Sequence, residues 1–362
     1  MEKYLFGGIY KKRRVLVTGH TGFKGSWLCK WLEILGAKVV GYALKPVMDQ
    51  NHFDQSGLKI ESYFDDIGEY SKIKWVFSKF QPEIVFHLAA QPLVLESYDN
   101  PLNTFNTNIM GSVNILEASR HTDSVKAIVI VTTDKVYKNN DCIYGYRETD
   151  VIGGHDPYSS SKACAELVTE SYRKSYSKGG QGGPLIASAR AGNVIGGGDW
   201  TENRIIPDAI NAAINNQKLA IRNPNSVRPW QHVLEPLSGY LLLGQHLYQN
   251  NFLAAESWNF GPASDSNLDV NSLVKLMGQE WEKISWEINM NPGTEYESKT
   301  LMVDSSKANS LIGWKPVWDL KKTVKYTVDW YRKYLEENKV ITDQQIRNYI
   351  TEAKTNNFTW AT

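Results

Sequence analysis

Short apolar runs alternate with longer amphipathic segments along the first half of this 362-residue chain. The short runs predict strands buried on both faces, and they lie at 14–19, at 38–42, at 83–88, up to Thr133 and at 185–190. Apolar positions three or four residues apart predict helices, which run to about Leu35, over 73–80, over 103–119 and through Tyr158. This alternation is typical of an α/β fold with a parallel, doubly wound sheet.

The pattern becomes irregular after Arg190, where Gly, Asn, Pro and Trp are frequent, and it predicts a smaller substrate-binding lobe. Helical periodicity returns at 235–247, at 320–337 and, in a polar form, at 343–354, and a glycine-rich surface loop is expected at 177–184. We therefore expect two discontinuous domains and a tail. The sheet domain comprises residues 1–192, 232–262 and 317–340, and the lobe comprises residues 193–231 and 263–316. A C-terminal helical tail follows at 341–362.

Three glycines directly follow the first apolar run, in the spacing G-x-x-G-x-x-G, and a helical pattern begins among them. Gly19 allows a tight turn, Gly22 lets the backbone approach a pyrophosphate, and Gly25 lets the helix pack closely on the sheet. The helix N-terminus then faces the anion. The sequence thus predicts a dinucleotide site in a Rossmann-type domain.

Tyr158 and Lys162 are four residues apart, which places both side chains on one face of a predicted helix. A nearby ammonium favours the phenolate, so we expect Lys162 to lower the pKa of Tyr158 from about 10 towards neutrality. Tyr158 would then serve as a general base for a hydroxyl proton. Thr133 is the predicted third partner, because it ends an apolar strand at the edge where parallel sheets bind ligands.

Composition and charge bear on the partners, location and metal content of the protein. The net charge is +1 and the basic residues are scattered, so neither a nucleic-acid partner nor a membrane surface is indicated. The first fourteen residues contain no apolar stretch of signal-peptide length, and we expect a cytoplasmic protein. The three cysteines lack metal-ligand spacing, so no metal site is expected.

The chain resembles the extended short-chain dehydrogenase/reductase family and, within it, the nucleotide-sugar 4,6-dehydratases. The resemblance covers most of the chain, and beyond the glycine and Tyr158 motifs it rests on HLAAQ at 87–91, NIMGS at 108–112, SSKA at 305–308, GWKP at 313–316 and RAGNVIGGGDW at 190–200. It implies an enzyme that uses NAD on a nucleoside-diphosphate hexose and forms a homodimer or homotetramer. The cofactor-binding residues that it implies are Gly19, Thr21, Gly22, Phe23, Lys24, Gly25, Asp66, Ile67, Leu88, Ala89, Ala90 and Asn108.

The segment TDKVY at 133–137 departs from part of that family. The deoxythymidine-diphosphate-glucose dehydratases and their GDP-mannose relatives carry an acidic pair after the Thr, whereas this chain has Asp134 followed by Lys135. After oxidation at C-4 of the sugar, Asp134 is the candidate acid for the C-6 hydroxyl. Lys135 is the candidate base for the C-5 proton, provided that desolvation lowers its pKa; it would otherwise polarise the enolate or orient Asp134.

The resemblance also implies substrate-binding residues, which are Gln91, Ser97, Asn193, Arg204, Arg228 and Glu297. Arginines and amides suit a diphosphate. His232 is expected to be a packed core residue. The predicted second strand ends without an acid for the ribose, and Lys45 follows it, so NAD is preferred while NADP stays open. Another nucleotide-sugar dehydratase, an epimerase and a non-catalytic nucleotide-binding member of the family are the remaining alternatives.

Overall fold

A parallel sheet of seven strands lies at the centre of the fold, in the spatial order β11-β6-β5-β4-β1-β2-β3. The computed structural model describes residues 2–177, 183–263, 266–289 and 300–362. The strands of the central sheet are β1 (Arg14–Thr18), β2 (Lys38–Ala43), β3 (Glu61–Phe64), β4 (Ile84–His87), β5 (Ala127–Val131), β6 (Leu185–Arg190) and, later in the chain, β11 (Ser257–Asn259). The predicted doubly wound α/β sheet is confirmed.

The central strands are apolar because helices cover both of their faces. Val15 and Val17 of β1 point into one core with α1 and α9, whereas Leu16 points into a second core with α3 and α6. Every residue of β5 is buried. The helices that cover the sheet or follow it are α1 (Phe23–Ile34), α2 (His52–Gln55), α3 (Tyr70–Phe80), α4 (Val94–Asp99), α5 (Pro101–Phe105), α6 (Gly111–Arg120), α7 (Pro157–Tyr176), α8 (Ile205–Ile214), α9 (Leu234–Tyr248), α10 (Val270–Glu280), α11 (Ser306–Ile312), α12 (Leu320–Glu337) and α13 (Thr342–Thr355).

Three small two-stranded sheets lie in the part of the chain that follows β6. They pair β7 (Val194–Ile195) with β10 (Gln231–His232), β9 (Val227–Pro229) with β12 (Asn267–Asp269), and β8 (Leu219–Ile221) with β13 (Trp286–Ile288). The first and third pairs are parallel and the second is antiparallel. Strands this short give no periodic signal, which is why the sequence predicted only an irregular lobe here.

Two predicted elements differ in detail. The helix expected at 103–119 is a run of α5, a π-helical segment at Asn106–Met110 and α6. Strand β5 ends at Val131 rather than Thr133, because residues 134–136 turn into a short 3-10 helix capped by the Thr133 side chain. Most of the loop expected at 177–184 lies outside the described residues. No helix in the described part of the chain is both long and apolar enough to span a bilayer.

Candidate active site

A cleft of about 1680 Å³ opens along the carboxyl ends of the central strands and continues towards the lobe. Most of the predicted site residues line it, although they come from distant parts of the chain. The predicted residues found in its wall are Gly19, Thr21, Gly22, Phe23, Lys24, Gly25, Asp66, Ile67, Leu88, Ala89, Ala90, Gln91, Thr133, Lys135, Tyr158, Lys162, Asn193, Arg204 and Arg228.

The glycine loop joins β1 to α1 at one end of the cleft and has no room for a side chain at Gly19 or Gly25. Gly19 has a φ of +70°, and a Cβ built on it would lie 2.7 Å from the backbone nitrogen of Ala89. A Cβ on Gly25 would lie 2.0 Å from the Gly19 carbonyl oxygen. The tight turn and the bare N-terminus of α1 therefore form a cradle that fits the pyrophosphate of a dinucleotide.

The ends of β2 and β3 form the wall beyond this loop. Ala43, Leu44, Asp65 and Asp66 line the cleft there, and the Asp66 carboxylate accepts a hydrogen bond from the Gly68 amide at 2.7 Å. This end therefore carries two carboxylates, although β2 itself ends without an acid. Lys45 does not line the cleft; it borders a separate surface hollow.

Asn108 lies behind the wall rather than in it. It is buried, its Oδ1 accepts from the backbone amide of Gln91 at 2.8 Å, and its Nδ2 donates to the Ser161 hydroxyl at 2.8 Å. The Asn108 side chain thus ties the segment after β4 to α7. Because it does not reach the cleft, its action on a cofactor would be indirect.

Helix α7 presents Tyr158 and Lys162 to the middle of the cleft. Pro157 begins the helix, and the Asp156 carboxylate caps it by accepting from the Ser159 amide at 2.9 Å and the Ser159 hydroxyl at 2.6 Å. Proline at this position and aspartate at the N-cap are both favoured helix starts. Lys162 Nζ donates to the Val131 carbonyl at 3.2 Å, so the lysine is held against the end of β5.

Burial has the largest effect on the pKa values of Tyr158 and Lys162. It raises the pKa of Tyr158 to about 12, although the Thr133 hydrogen bond and the Arg204 charge oppose the rise. Burial lowers the pKa of Lys162 to about 8, and the charge of Lys24 acts in the same direction. The expected lowering of the Tyr158 pKa by Lys162 is therefore not found in this structure, because desolvation outweighs the attraction of nearby cations.

Lys24 adds a further cation to this centre. Burial lowers its pKa to about 8, with smaller contributions in the same direction from Arg204 and Lys135 and opposing ones from Asp134 and Asp199. The side chain that follows the glycine turn thus feels the charges of both the 133–137 segment and the lobe. The sequence placed Lys24 among the cofactor-binding residues, and the structure also places it close to the reacting groups.

Asp134 and Lys135 directly follow Thr133, and the charge of Asp134 acts on Tyr158. The Asp134 side chain is completely buried; its Oδ1 accepts from the Thr133 hydroxyl at 2.9 Å and from Lys135 Nζ at 3.4 Å. Among the described residues, Asp134 Oδ2 has no hydrogen-bond partner. Gly192 leaves room for it, since a Cβ there would lie 1.7 Å from this oxygen. Lys135 is about one-third exposed and lines the cleft.

The lobe contributes the cations predicted for a diphosphate. Arg204 Nη1 pairs with Asp199 Oδ2 at 2.9 Å, and Arg228 is buried in the cleft wall with its Nη1 donating to the Val227 carbonyl at 2.9 Å. Asn193 adopts a left-handed φ of +40°, and its buried Oδ1 has no hydrogen-bond partner among the described residues. The sequence predicted no role for Asp199, although this residue lies five positions before Arg204.

The other three predicted substrate-binding residues are Gln91, Ser97 and Glu297, and neither of the two that the structure describes offers a free side chain to the cleft. The side-chain amide of Gln91 already has protein partners. Its Oε1 accepts from the Leu93 backbone amide at 2.6 Å, and its Nε2 donates to the Thr104 hydroxyl at 2.8 Å. Ser97 is buried outside the cleft wall and donates to the Val94 carbonyl at 2.6 Å. Glu297 lies outside the described residues.

His232 is a packed core residue, as predicted. Its ring meets Trp27 and Trp318 edge to face and is fully buried. Burial lowers the pKa of His232 to about 3. The histidine is therefore neutral at physiological pH and is no candidate for acid-base chemistry in the cleft.

Comparison with known proteins decides the family. The family model described as GDP-mannose 4,6 dehydratase matches residues 16–327. The chain belongs to this dehydratase family. The match spans the glycine loop, the Tyr158 helix and the lobe, so the predicted resemblance to nucleotide-sugar 4,6-dehydratases is confirmed.

Within the dehydratase family, the chain is 44% identical over 350 residues to the CDP-glucose 4,6-dehydratase of Salmonella typhimurium, covering 94% of this chain and 97% of that one. It is 24% identical over 356 residues to the dTDP-glucose 4,6-dehydratase of the same organism, covering 88% and 92% of the two chains. The chain is therefore much more similar to the first of these two enzymes than to the second.

Solved structures agree on the fold. The UDP-glucose 4-epimerase of Thermotoga maritima with UDP-glucose superposes with a TM-score of 0.76 at 25% identity, over 89% of this chain and 99% of that one. The dTDP-glucose 4,6-dehydratase of Bacillus anthracis in complex with NAD gives a TM-score of 0.74 at 22% identity, over 90% and 98%. This epimerase and this dehydratase thus share the architecture of the chain, and the fold alone does not distinguish the two activities.

Proposed function

We propose that this protein is an NAD-dependent CDP-D-glucose 4,6-dehydratase, a hydro-lyase. It converts CDP-D-glucose to CDP-4-dehydro-6-deoxy-D-glucose and water, by transfer of a hydride from C-4 to C-6 of the same sugar. The observation that carries the proposal is the Asp134–Lys135 pair that follows Thr133, with the Asp134 charge acting on Tyr158, in a chain 44% identical to a CDP-glucose 4,6-dehydratase. An oxidation centre and an acid-base pair for elimination then share one cleft.

The cofactor end of the cleft fits NAD. The glycine cradle suits the pyrophosphate, and the carboxylates of Asp65 and Asp66 at the far end would repel the extra phosphate of NADP. When bound, NAD supplies the hydride acceptor for C-4, the hydride donor for C-6 and the positive charge of its oxidised ring. The remaining chemistry belongs to the side chains of this chain.

Tyr158 takes the proton from the C-4 hydroxyl. Its phenolate is disfavoured by burial, so the cationic groups around it decide how much of the base is available. Thr133 and Arg204 both favour the phenolate. Lys162 lies one turn further along the same helix, where its Nζ is held at the end of β5 by the Val131 carbonyl.

Asp134 and Lys135 carry the elimination. Once C-4 is a ketone, the C-5 proton is acidic. Lys135 first gives its own proton to the paired Asp134 carboxylate and then removes the C-5 proton as the free amine, from the exposed side of the pair. Asp134 lies just behind the cleft wall, so it protonates the leaving C-6 hydroxyl through the Thr133 hydroxyl, which hydrogen-bonds to its Oδ1 and lines the cleft. Lys135 then returns the proton to C-5 as hydride reaches C-6, and the proton taken up by Tyr158 replaces the one lost with water.

Substrate anchoring is proposed for the cations and the amide at the lobe end. Arg204, Arg228 and Asn193 line the cleft there and suit the diphosphate of the substrate. Gln91 and Ser97 act on the substrate through the backbone that they hold, since both side chains are engaged locally. Glu297 stays a candidate contact for the ribose or base.

Purified protein with NAD should be incubated separately with CDP-D-glucose, dTDP-glucose and GDP-mannose, and the products weighed by mass spectrometry. Loss of one water from CDP-D-glucose alone is the expected result. Water loss from another substrate would change the nucleotide assignment. A product of unchanged mass would favour an epimerase, and the roles of Asp134 and Lys135 would be withdrawn.

Location and assembly follow from the same proposal. We place the enzyme in the cytoplasm, in deoxysugar biosynthesis of the O-antigen or lipopolysaccharide type, and as a homodimer or homotetramer. The family resemblance implies that the helices after Asn103 and around Tyr158 form the dimer contacts. Gel filtration with light scattering would test the assembly.

A further inference from the structure

A buried ion pair lies directly beneath the proposed reacting groups. Glu166 of α7 and Arg190 at the end of β6 have side chains only 1% and 2% exposed. Arg190 donates from Nε to Glu166 Oε1 and from Nη2 to Glu166 Oε2, both at 3.0 Å, which is the paired geometry of strong arginine-carboxylate contacts. The pair takes no part in the chemistry proposed above.

Glu166 connects this pair to the start of the acid-base segment. It follows Lys162 by four residues on the same helix face, and its Oε1 also accepts from the Thr132 hydroxyl at 2.5 Å. Thr132 directly precedes Thr133 and Asp134. One carboxylate therefore holds both the helix of Tyr158 and the residue that leads into the elimination pair.

Arg190 connects the same pair to the end of that segment. Its Nη1 donates to the Tyr137 hydroxyl at 2.8 Å, and this hydroxyl donates to Asn259 Oδ1 at 2.7 Å. Tyr137 ends the short helical turn that carries Asp134 and Lys135. Residues 132–137 are thus fixed at both ends to a single buried pair.

We propose that the Glu166–Arg190 pair is a positioning device that sets the elimination groups in register with the oxidation centre. The inference rests on the proposed function, in which both steps act on one sugar without its release. Thr132 and Tyr137 are then positioning residues that act through Asp134 and Lys135. Alignment of this kind is demanding, because a displacement of about 1 Å can slow a reaction roughly a hundredfold.

Hydroxyl deletions test the device while leaving the ion pair intact; removing either charge would strand the other in the interior. Thr132→Val and Tyr137→Phe each remove one connection. Thr132→Ser keeps the hydroxyl and serves as the conservative rescue. Tyr172→Phe is the matched control, since its hydroxyl also joins α7 to a carboxylate, at 3.1 Å from Glu117 Oε2, but on another face.

Steady-state kinetics with CDP-D-glucose should show kcat about tenfold to a hundredfold lower in Thr132→Val and Tyr137→Phe, with KM unchanged. The fraction of bound nicotinamide that is reduced during turnover should rise, because oxidation continues while elimination slows. Thr132→Ser and Tyr172→Phe should stay near the wild type in both measurements. An equal loss of rate without a rise in reduced cofactor would overturn the proposal.

Amide hydrogen exchange over residues 132–137 supplies a readout independent of the substrate. Faster exchange there in Thr132→Val and Tyr137→Phe, but not in Tyr172→Phe, is the expected result. Unchanged exchange would overturn the positioning role whatever the substrate is. Absence of wild-type turnover with CDP-D-glucose would instead reject the proposed function, so the two failures are distinguishable.

Discussion

Tyr158 is largely buried, yet its proposed role needs its charged form. Replacing it by Phe removes the phenol and leaves the ring in place, so we expect oxidation at C-4 to slow by about 10²- to 10⁴-fold. Binding of CDP should change little, because the diphosphate contacts lie in the lobe. Single-turnover reduction of bound NAD measures the step. Unchanged reduction in Tyr158→Phe would remove Tyr158 from the mechanism.

Substitution of Lys135 should separate oxidation at C-4 from the loss of water. In Lys135→Ala we expect C-4 to be oxidised while water loss falls by about 10²-fold or more, because no base reaches C-5. Lys135→Glu is the matched variant, since it creates the acidic pair of the deoxythymidine-diphosphate-glucose relatives and should retain part of the elimination. Product mass and the amount of reduced cofactor follow the two steps. Full water loss in Lys135→Ala would withdraw the role.

Individual residues were predictable only where a motif fixes them. The glycine loop, Thr133, Tyr158 and Lys162 meet in one cleft as their spacing indicated. The pKa of Tyr158 was not predictable, because it depends on how many distant segments bury the phenol. Glu166 could have been found, since it continues the four-residue spacing of Tyr158 and Lys162 on the same helix face.

At the scale of elements, the turn between β1 and α1 is the most constrained connection in the cleft. Gly19 and Gly57 both have positive φ values, +70° and +61°, yet only Gly19 meets backbone atoms. Gly57→Ala should therefore cost about 1 kcal/mol of stability and leave NAD binding intact. Gly19→Ala should lose more stability and abolish NAD binding, because the loop must move away from Leu88 and Ala89.

Isothermal titration with NAD and thermal unfolding of both glycine variants check this difference. Equal NAD affinity in the two variants would show that the close approach of the loop is not needed for the cofactor. Equal losses of stability would show that backbone strain, rather than contact with the segment after β4, dominates at Gly19.

Elements with strong periodicity were predicted closely, and those with weak periodicity were not. Helix α12 was predicted with its observed bounds, Leu320–Glu337, because its apolar stripe is regular. Strand β3 was missed, since only four partly exposed residues form it. The π-helical turn at Asn106–Met110 was unpredictable, because an i to i+5 pattern leaves no distinct sequence period.

At the scale of the whole molecule, the C-terminal helix joins the sheet domain through a buried acid. Glu235 of α9 accepts from the Trp318 amide at 2.8 Å, the Val317 amide at 2.9 Å and the Tyr349 hydroxyl of α13 at 2.7 Å. Trp360 near the chain end also stacks on Phe6. The tail at 341–362 thus packs on the rest of the protein, and the division into domains stays a prediction.

Burial raises the pKa of Glu235 from 4.5 to about 7, and the charge of Glu352 adds to the rise. Between these values the folded state keeps the proton longer than the unfolded state, so rising pH lowers the free energy of unfolding. The fall should approach about 1.4 kcal/mol for each pH unit in that window. Glu235→Gln cannot ionise and should lack this component.

Chemical denaturation of the wild type and Glu235→Gln between pH 4.5 and pH 7 measures the effect as a difference, in which titrations common to both proteins cancel. The stability of the wild type relative to the variant should decline steadily as pH rises. A constant difference would show that Glu235 has similar pKa values in the folded and unfolded states.

The central claim is that one cleft moves a hydride within a single sugar while removing water. CDP-D-glucose deuterated at C-4 tests it most directly, with the product examined by mass spectrometry and NMR. We predict a product lighter by one water that carries the deuterium at C-6. Loss of the deuterium to solvent, or a product of unchanged mass, would contradict internal hydride transfer and the dehydratase function.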